Sequence, residues 1–494
     1  MSSILTNTSA MVALQTLKGI NSNLSKTQDE ISTGKSIATA RDNSAVWAIS
    51  KVMESDVKGF KAISDSLSLG QSTVTVARTA SETVTDLVTE IKGKIVAAQE
   101  SNVDRAKIQT DISALRDQIN SVVGAAQFNG LNLVSGTDDV DILSSLDRAA
   151  NGTVSASNIT IARQDLTTSA GVLGTGADLS PNATLSAGSA TNAGNTVTIT
   201  LAADADVSGD AFEISVGGAT VSFSAGDITG DQDAAASAIS GAINALGLTG
   251  VTAGAAGGVV TLTSTRAFED VAVSGTKNGG GTDITLSATS IAERAETLTF
   301  DSSAAVNEGD GYQVSVDGTA YTYVAGKNES FEDVARGLKA AVDGGGVSGI
   351  TTQVAQDSNG DWQLKIDNSG ASSVTLARAG AAGGTASGGL FGLGGIDVTT
   401  NAGAEAALGN IETLISNSID AAAAFGSAQG RIDSQTSFVG ALTDSLKAGI
   451  GTMVDADMEE ASARLQALQV QQQLGIQSLS IAHQQPQSIL SLFR

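Results

Sequence analysis

The sequence predicts an α+β multidomain fold in which α-helices from both chain ends form a coiled-coil rod and β-rich outer domains are inserted between them. Three observations support this prediction. Apolar residues recur at spacings of three and four over roughly the first 130 residues and again after about residue 405. Between these zones, residues 138–400 alternate apolar and polar positions with a period of two. That middle zone also contains an internal repeat.

The N-terminal zone is predicted to form three long helices. Its apolar spacing runs through the segments 14–31, 77–98 and 108–122. Asp104 precedes the third segment and is a candidate N-cap. The same spacing returns at the other end of the chain, in residues 411–446 and 458–479. Two helical blocks at opposite ends most simply pack against each other, so we expect the two chain ends to be neighbours.

The middle zone is predicted to form two related β-rich modules. Short runs rich in Val, Thr, Ser and Ala are separated by glycine-rich turns, which is typical of strands. GDAFEISVGGATVSFSAG at Gly209 aligns without gaps on GDGYQVSVDGTAYTYVAG at Gly309, and a short helical stretch follows each copy. We therefore predict modules at about 185–290 and 291–395, inserted into the helical rod.

Composition argues against several functions. The net charge of −25 disfavours binding to nucleic acid, whose phosphates require Lys and Arg. The chain contains no cysteine and one histidine, His483, so disulfides, thiolate metal sites, histidine metal clusters and HExxH motifs are excluded. A Ser-His-Asp triad would depend on that one histidine. The stretch DSNGDW at 357–362 resembles the start of a calcium loop, but it lacks the remaining ligands and is interpreted as a hairpin turn. We expect no enzyme activity, metal or cofactor.

The two chain ends carry amphipathic stripes. No run of eighteen apolar residues is present, and the first residues lack a basic leader followed by an apolar block, so we expect neither membrane insertion nor a cleaved signal peptide. The polar faces are rich in Gln and Ser rather than Lys and Arg, which disfavours a membrane surface. Such stripes occur on the core helices of an ordinary bundle and on helices that pair with another copy of the chain. We favour the second interpretation, self-assembly.

Three stretches resemble bacterial flagellin, most closely the alphaproteobacterial type. They are ISTGKSIATARDNSAVWAIS at 31–50, QFNGLNLVSG at 127–136 and LQVQQQLGIQSLSIAHQQPQSILSLFR at 468–494. The resemblance covers about the first 165 and last 95 residues. Departures are few: Val46-Trp47 replaces a common Gly-Leu, and His483 stands where asparagine is common. The resemblance implies a structural subunit of the flagellar filament, with no enzyme activity.

The resemblance also implies a division of the chain. The segments are an N-terminal inner-tube helix (1–44), the first part of the outer-tube helical domain (45–167), a variable surface region (168–400), the second part of the outer-tube domain (401–449) and a C-terminal inner-tube helix (450–494). In flagellins the terminal helices fold on polymerisation and form the filament core. The variable β domains face outward.

Site residues follow from the same resemblance. The implied self-assembly core consists of Leu5, Met11, Leu14, Leu17, Leu24, Ile31, Leu465, Leu468, Leu479, Ile489, Leu490 and Phe493. The implied linker between inner and outer tubes consists of Ser32, Thr33, Gly34, Arg41, Asp42 and Asn43. Many enterobacterial flagellins are sensed by a Toll-like receptor through an arginine and a leucine, and the matching positions here are Glu90 and Lys94. We expect these two residues to weaken receptor activation.

Implied partners are other copies of the chain, the flagellar export apparatus, a flagellin chaperone, the filament cap and hook-associated proteins. The expected location is the extracellular flagellar filament, reached without a cleaved signal peptide. Three alternatives stay open. A hook–filament junction protein shares the terminal helices, and the outer modules could act as an adhesin. A filament-displayed protease is disfavoured because residues 138–400 contain no histidine or cysteine.

Overall fold

The computed structural model describes residues 7–148, 153–278 and 284–492, and it describes side chains up to residue 484. The α+β fold class is confirmed, because helices at both ends of the chain flank a β-rich centre. The chain forms two compact units. The first contains residues 1–72, 141–161 and 429–494, and the second contains residues 73–140 and 162–428.

Five long helices come from the two ends of the sequence. They are α1 (Thr8–Thr33), α2 (Ser44–Ala98), α3 (Arg105–Ala125), α6 (Asn401–Val454) and α7 (Met458–Leu492). The local sequence explains several of their ends. The Asn7 side chain accepts a hydrogen bond from the Ala10 amide at the start of α1, and Gly34 ends that helix with a φ of 69°, which favours glycine. Asp104 caps α3 as predicted, since its carboxylate accepts the Lys107 amide at 3.2 Å.

Two hairpins follow α3. The first pairs β1 (Gln127–Phe128) with β2 (Leu131–Asn132), and its turn residues Asn129 and Gly130 both have positive φ, as the Asn-Gly sequence favours. The second pairs β3 (Val140–Arg148) with β4 (Val154–Ile161). In the first unit, the Ile142 side chain packs against Gly70 of α2, and Leu146 Cδ1 lies 2.9 Å from the position that a Cβ at Gly59 would occupy. Glycine at both positions therefore lets the hairpin approach the helix.

The first β module consists of two four-stranded sheets and one helix. Its elements are β7 (Asn195–Leu201), β8 (Ala211–Val216), β9 (Ala219–Phe223), α4 (Gln232–Ala245), β10 (Val251–Ala256), β11 (Val259–Ser264), β12 (Val271–Asn278), β13 (Ile284–Leu286) and β14 (Ser290–Ile291). The strand orders are β10-β11-β7-β13 and β14-β12-β8-β9, and every pairing is antiparallel. Aliphatic residues from both sheets and α4 fill its core.

The second β module repeats this arrangement. Its elements are β5 (Ala183–Leu185), β6 (Ser189–Ala190), β15 (Glu296–Phe300), β16 (Gly311–Val316), β17 (Thr319–Val324), α5 (Phe331–Gly344), β18 (Ile350–Gln356), β19 (Trp362–Asn368) and β20 (Val374–Ala381). The strand orders are β18-β19-β15-β5 and β17-β16-β20-β6. Its core is more aromatic: the Phe300 ring stacks on Phe331 at a centroid distance of 5.4 Å and meets Tyr312 edge-on at 5.7 Å.

The module boundaries differ from the predicted 185–290 and 291–395. β5 and β6 precede the first module in sequence, but they pair with β15 and β20 and so complete the second module. In the first module the equivalent places belong to β13 and β14. The first module is thus inserted into the second module, between its second strand, β6, and its third strand, β15. The sequence repeat could not show this because short strands do not reveal which sheet they join.

The link between the modules is held by buried charges. The Arg294 guanidinium, just after β14, donates two hydrogen bonds of 2.7 Å to the Asp367 carboxylate on β19. The Arg294 side chain is 12% exposed and the Asp367 side chain is 3% exposed. The hydrogen bonds to Asp367 raise the pKa of Arg294 above its ordinary value. Beside them, Lys365 Nζ lies 2.6 Å from Glu293 Oε2. These two pairs fix the connection between the first module and the second.

Candidate assembly interface

Helices α1 and α7 form an antiparallel hairpin within the first unit. Asn7 Nδ2 donates to the Ala482 carbonyl at 2.8 Å near one end, and Gln472 Nε2 donates to Asn21 Oδ1 at 2.7 Å near the middle. Gly475 allows close packing, since Leu17 Cδ1 lies 3.1 Å from the position of a Cβ there. The two ends of the sequence are therefore neighbours, as the matching apolar spacing predicts.

The apolar side chains of this hairpin divide into two sets. Leu24 and Leu468 are only 9% and 8% exposed, because they lie between the two helices. A second set is more than 40% exposed: Met11, Val12, Leu14, Met458, Val470, Leu474, Ile476 and Ile481. Large apolar side chains exposed in such number on two helices are typical of an interaction surface.

The predicted self-assembly residues are distributed over both sets. Met11 and Leu14 are exposed, Leu24 and Leu468 are buried within the chain, and four others are half-buried: Leu17, Ile31, Leu465 and Leu479. Ile489 and Leu490 belong to α7, but their side chains lie outside the described part, as do Leu5 and Phe493 altogether. Sequence reasoning missed Val12, Val470, Leu474, Ile476 and Ile481. The spacing of Val470, Leu474 and Ile481, four and seven residues apart, was the available signal.

The predicted linker connects α1 to α2 through local polar contacts. Asp42 Oδ2 accepts the amides of Ala38 and Thr39 at 3.2 and 2.9 Å, and these bonds lower the pKa of Asp42, with the Thr39 amide as the largest cause. Asn43 Oδ1 accepts the Ala45 and Val46 amides at 3.2 Å and so caps α2. Ser32, Thr33 and Arg41 are exposed. The linker is therefore built from its own turns rather than from a packed core.

The linker also pairs with the junction between α6 and α7. The Ser36 amide donates to the Val454 carbonyl at 2.8 Å, and the Ala456 amide donates to the Gly34 carbonyl at 3.0 Å. Lys35 and Asp455 form an antiparallel bridge between these bonds. Sequence reasoning did not identify 454–456, because backbone pairing between segments 420 residues apart leaves no local pattern. The two chain segments that leave the α1–α7 hairpin, residues 34–36 and 454–456, are therefore held together by backbone pairing.

The two positions predicted to affect receptor recognition lie on α2. Glu90 is exposed. Lys94 Nζ forms an ion pair with Asp111 Oδ2 of α3 at 2.7 Å, and this hydrogen bond is the main cause of the raised pKa of Lys94. The surface at this turn therefore presents a carboxylate and a lysine that is held against α3.

The described residues contain neither a cluster of metal-binding side chains nor a helix suited to span a membrane. In residues 7–148, 153–278 and 284–492, no group of three or more His, Cys, Asp or Glu side chains could hold a metal ion. No helix among them is both long and apolar enough to cross a membrane. Residues 357–361 form a tight hairpin turn between β18 and β19, in which Asp357 Oδ1 accepts the Asn359 and Asp361 amides.

A helical hairpin with an uncovered apolar face, joined by a polar linker to long helices and inserted β modules, defines a subunit that assembles with other copies. Family models match at both ends: the bacterial flagellin N-terminal helical region matches residues 4–139, and the C-terminal helical region matches residues 408–493. The chain belongs to the flagellin family, and it is a structural subunit of the extracellular bacterial flagellar filament.

Relatives match over the whole chain. Flagellin A and flagellin D of Rhizobium meliloti are each 31% identical to it, over 499 and 501 residues that cover all of both chains. Flagellin FljK of Caulobacter vibrioides is 41% identical over 172 residues, which are 34% of this chain and 63% of that one. These matches favour a filament subunit over a hook–filament junction protein. A crystal structure of Xanthomonas campestris FlgL covers 81% of this chain and 98% of that chain at 11% identity, with a TM-score of 0.30.

Proposed function

We propose that this flagellin polymerises through the α1–α7 hairpin, whose exposed apolar face packs against hairpins of neighbouring copies to form the inner tube of the filament. The observation that carries the proposal is the set of large apolar side chains left in water on both helices, including Leu474 at 56% and Ile481 at 63% exposed. Full burial of a fully exposed side chain of this size contributes about 1.5–3 kcal/mol, and covering the exposed half of each of these contributes roughly half of that. Several per subunit, repeated along a filament, supply the main favourable term of assembly.

The polar composition of the hairpin supports folding coupled to assembly. Among the described side chains of the hairpin, those that are buried besides Leu24 and Leu468 are small or polar: Ala10, Thr27, Ala461 and Ala482. A hairpin with so small a core gains too little from its own packing to offset the conformational entropy of ordering two helices. Contacts from neighbouring copies make up the difference, so the hairpin becomes stable on polymerisation.

The linker and the modules complete the proposed arrangement. Residues 32–43 would connect inner and outer tubes, and the helices of 45–167 and 401–449 would form the outer tube. The variable region 168–400 would face outward. As partners we propose the flagellar export apparatus, a chaperone, the filament cap and hook-associated proteins, with export that does not require a cleaved signal peptide. Coverage of the exposed apolar face by a chaperone would prevent premature assembly.

A seeding experiment tests this proposal. Purified full-length protein and a version that lacks residues 465–494 are mixed with short filament seeds and examined by negative-stain electron microscopy. We expect long filaments from the full chain only. Circular dichroism should show a gain of helix as the full chain polymerises. Equal polymerisation of both versions would refute the proposed role of the hairpin.

We further propose that Glu90 and Lys94 weaken recognition by the Toll-like receptor that senses enterobacterial flagellins. An acid in place of an arginine reverses a contact charge, and an ammonium in place of a leucine must be desolvated on binding. The double variant Glu90→Arg, Lys94→Leu should activate a receptor-reporter cell line at least tenfold more strongly than the unchanged protein. Lys107→Leu is the matched control, because its side chain is 85% exposed on α3 and also lies beside a carboxylate. Strong activation by the unchanged protein would contradict the prediction.

A further inference from the structure

Three side chains meet where α5 of the second module packs against α6. Lys339 Nζ lies 2.7 Å from Asn410 Oδ1 and 2.7 Å from Asp343 Oδ2. Asn410 Nδ2 donates to the same Asp343 oxygen at 3.2 Å. The amine, the carboxamide and the carboxylate therefore form a closed triangle in which each group contacts the other two.

This triangle is held in place and shielded from water. The exposed fraction is 13% for the Lys339 side chain, 5% for the Asp343 side chain and 9% for Asn410. Thr352 Oγ1 donates to the other Asp343 oxygen at 2.6 Å and fixes the orientation of the carboxylate. The residue before Asn410 is Gly409, and a Cβ there would lie 3.4 Å from Lys339 Nζ. A Cβ at that distance would make only an ordinary van der Waals contact, so the amine lies directly beside the backbone of α6.

We propose that Lys339 and Asn410 form an intramolecular isopeptide bond, with Asp343 as the proton carrier. Because Nζ already contacts Oδ1, it lies next to Cγ, the carbon that carries that oxygen. Such positioning of a nucleophile beside its target within one folded chain greatly raises the rate of an otherwise slow reaction. The Asp343 carboxylate contacts both the attacking nitrogen and the departing one, which is the place that a general acid–base group requires.

The reaction balances without an oxidant or an added reactant. Asp343 accepts a proton from the Lys339 ammonium, and the free amine forms a bond to Asn410 Cγ. The bond between Cγ and Nδ2 then breaks, with the proton on Asp343 transferred to the departing nitrogen. Asn410 Nδ2 leaves as ammonia, which takes up the second proton released by the attacking nitrogen and ends as ammonium. The product is one amide between the two side chains, and Asp343 returns to its starting state.

The internal repeat shows that the triangle is particular to the second module. The core positions of α4 and α5 correspond at a constant offset, as Ile239 does to Leu338. At that offset Lys339 corresponds to Ser240 and Asp343 to Asn244. The Asn244 side chain bonds to the backbone of Ala253 on β10 instead. Only the copy that packs on α6 has the amine and the carboxylate.

The proposed bond would tie the second module to the helical part of the second unit. It would close a loop of chain from residue 339 to residue 410, and a covalent loop stabilises a fold mainly by restricting the unfolded chain, as a disulfide does. A chain without cysteine would gain a cross-link that is insensitive to redox conditions. Because the three side chains meet only in the folded protein, the bond would form after folding.

Mass spectrometry of the intact chain tests the proposal. Full-length protein, as purified monomer and as filaments, is denatured and weighed, and its tryptic peptides are sequenced. We expect the chain to be lighter than its sequence by one ammonia, with a branched peptide that joins Lys339 to Asn410. Lys339→Arg and Asn410→Ala should each lack the branched peptide. Asp343→Asn, which keeps a polar side chain of the same size, should form it at least tenfold more slowly.

Asn410→Ala also serves as the control for other losses of ammonia. Asn359 precedes Gly360 in an exposed turn and can lose ammonia by forming a succinimide, and this site is intact in the variant. A mass deficit that persists in Asn410→Ala would therefore overturn the proposal. So would a full-mass chain without the branched peptide in both monomer and filament.

Discussion

The α1–α7 hairpin and the second β module use apolar side chains in opposite ways. In the module, Phe300, Val314, Leu338 and Leu364 are 0% exposed. In the hairpin, residues of similar size such as Ile481 are more than half exposed. The module therefore closes its own core, whereas the hairpin leaves many of its large apolar side chains in water. On the proposed function, this difference separates a part of the subunit that is stable alone from a part that assembles.

Charges show the same contrast. The module link buries the Arg294–Asp367 pair with two short hydrogen bonds. In the hairpin, Lys26 Nζ and Glu30 Oε1 are 3.9 Å apart and the Lys26 side chain is 61% exposed, while the Arg464 and Glu460 side chains are 55% and 68% exposed. Exposed pairs of this kind contribute at most about 1 kcal/mol. Within its described residues the hairpin thus has neither a closed core nor a short buried ion pair, and on the proposed function its stability depends on neighbouring copies.

The largest expected effect comes from placing a charge on the exposed face of α7. Leu474→Asp should abolish seeded polymerisation, because assembly would bury an unpaired carboxylate in an apolar seam. The unfolding transition of the β modules should not change. Filament yield by sedimentation and module stability by differential scanning calorimetry are the two measurements.

The matched control for this variant is Gln473→Asp, which adds the same charge at the adjacent exposed polar position. It should leave filament yield within about twofold of that of the unchanged chain. Filaments of Leu474→Asp in normal yield would show that this face of the hairpin is not buried on assembly.

The next effect concerns the closed core. Phe300→Ala removes a fully buried ring that contacts Tyr312 and Phe331, and it should lower the free energy of unfolding of the second module by about 3–5 kcal/mol. Urea denaturation followed by tyrosine fluorescence measures this change. Polymerisation below the new unfolding midpoint should persist. Phe438→Ala is the matched control, because that ring on α6 is 59% exposed and its loss should change stability by about 0.5 kcal/mol or less.

Much of this fold could be predicted from local sequence patterns. The three- and four-residue spacings identify the long helices, Asp104 identifies a helix start, and the repeat at Gly209 and Gly309 identifies two modules of the same topology. Local patterns fail where a partner is distant in sequence. They do not show that β5 pairs with β15, or that Ser36 pairs with Val454, since both depend on the closed fold.

The assembly residues show a related limit. Spacing identifies the apolar face of α7, but it does not distinguish Leu468, which α1 covers, from Leu474, which no helix of this chain's described part covers. That distinction requires the position of the partner helix. The Lys339–Asp343 spacing of four residues is visible in the sequence, but the third member of the triangle, Asn410, lies on a helix about 70 residues away.

The smallest expected effect is a pH dependence confined to the second module. The Glu329 carboxylate accepts hydrogen bonds from Tyr323 Oη and the Gly326 amide, each at 2.9 Å. Burial is the main cause of a raised pKa at Glu329, and the nearby Asp333 charge adds to it. In the unfolded chain this carboxyl ionises near its ordinary value of 4.5. The folded module therefore holds the proton more tightly, and the stability it gains from protonation is complete below pH 4.5 and is lost as the pH rises through the raised value.

Glu329→Gln keeps an acceptor for Tyr323 and removes the titration. Its unfolding free energy should fall less steeply than that of the unchanged chain as the pH rises from about 4.5, with a difference in slope of at most about 1.4 kcal/mol per pH unit. Urea titrations at intervals between pH 4 and pH 8 measure both slopes. The comparison must be a difference between variants, because carboxylates such as Asp357, whose pKa is lowered by backbone amides, give the opposite trend on acidification. Parallel profiles for the two proteins would show that Glu329 ionises as readily in the folded module as in the unfolded chain.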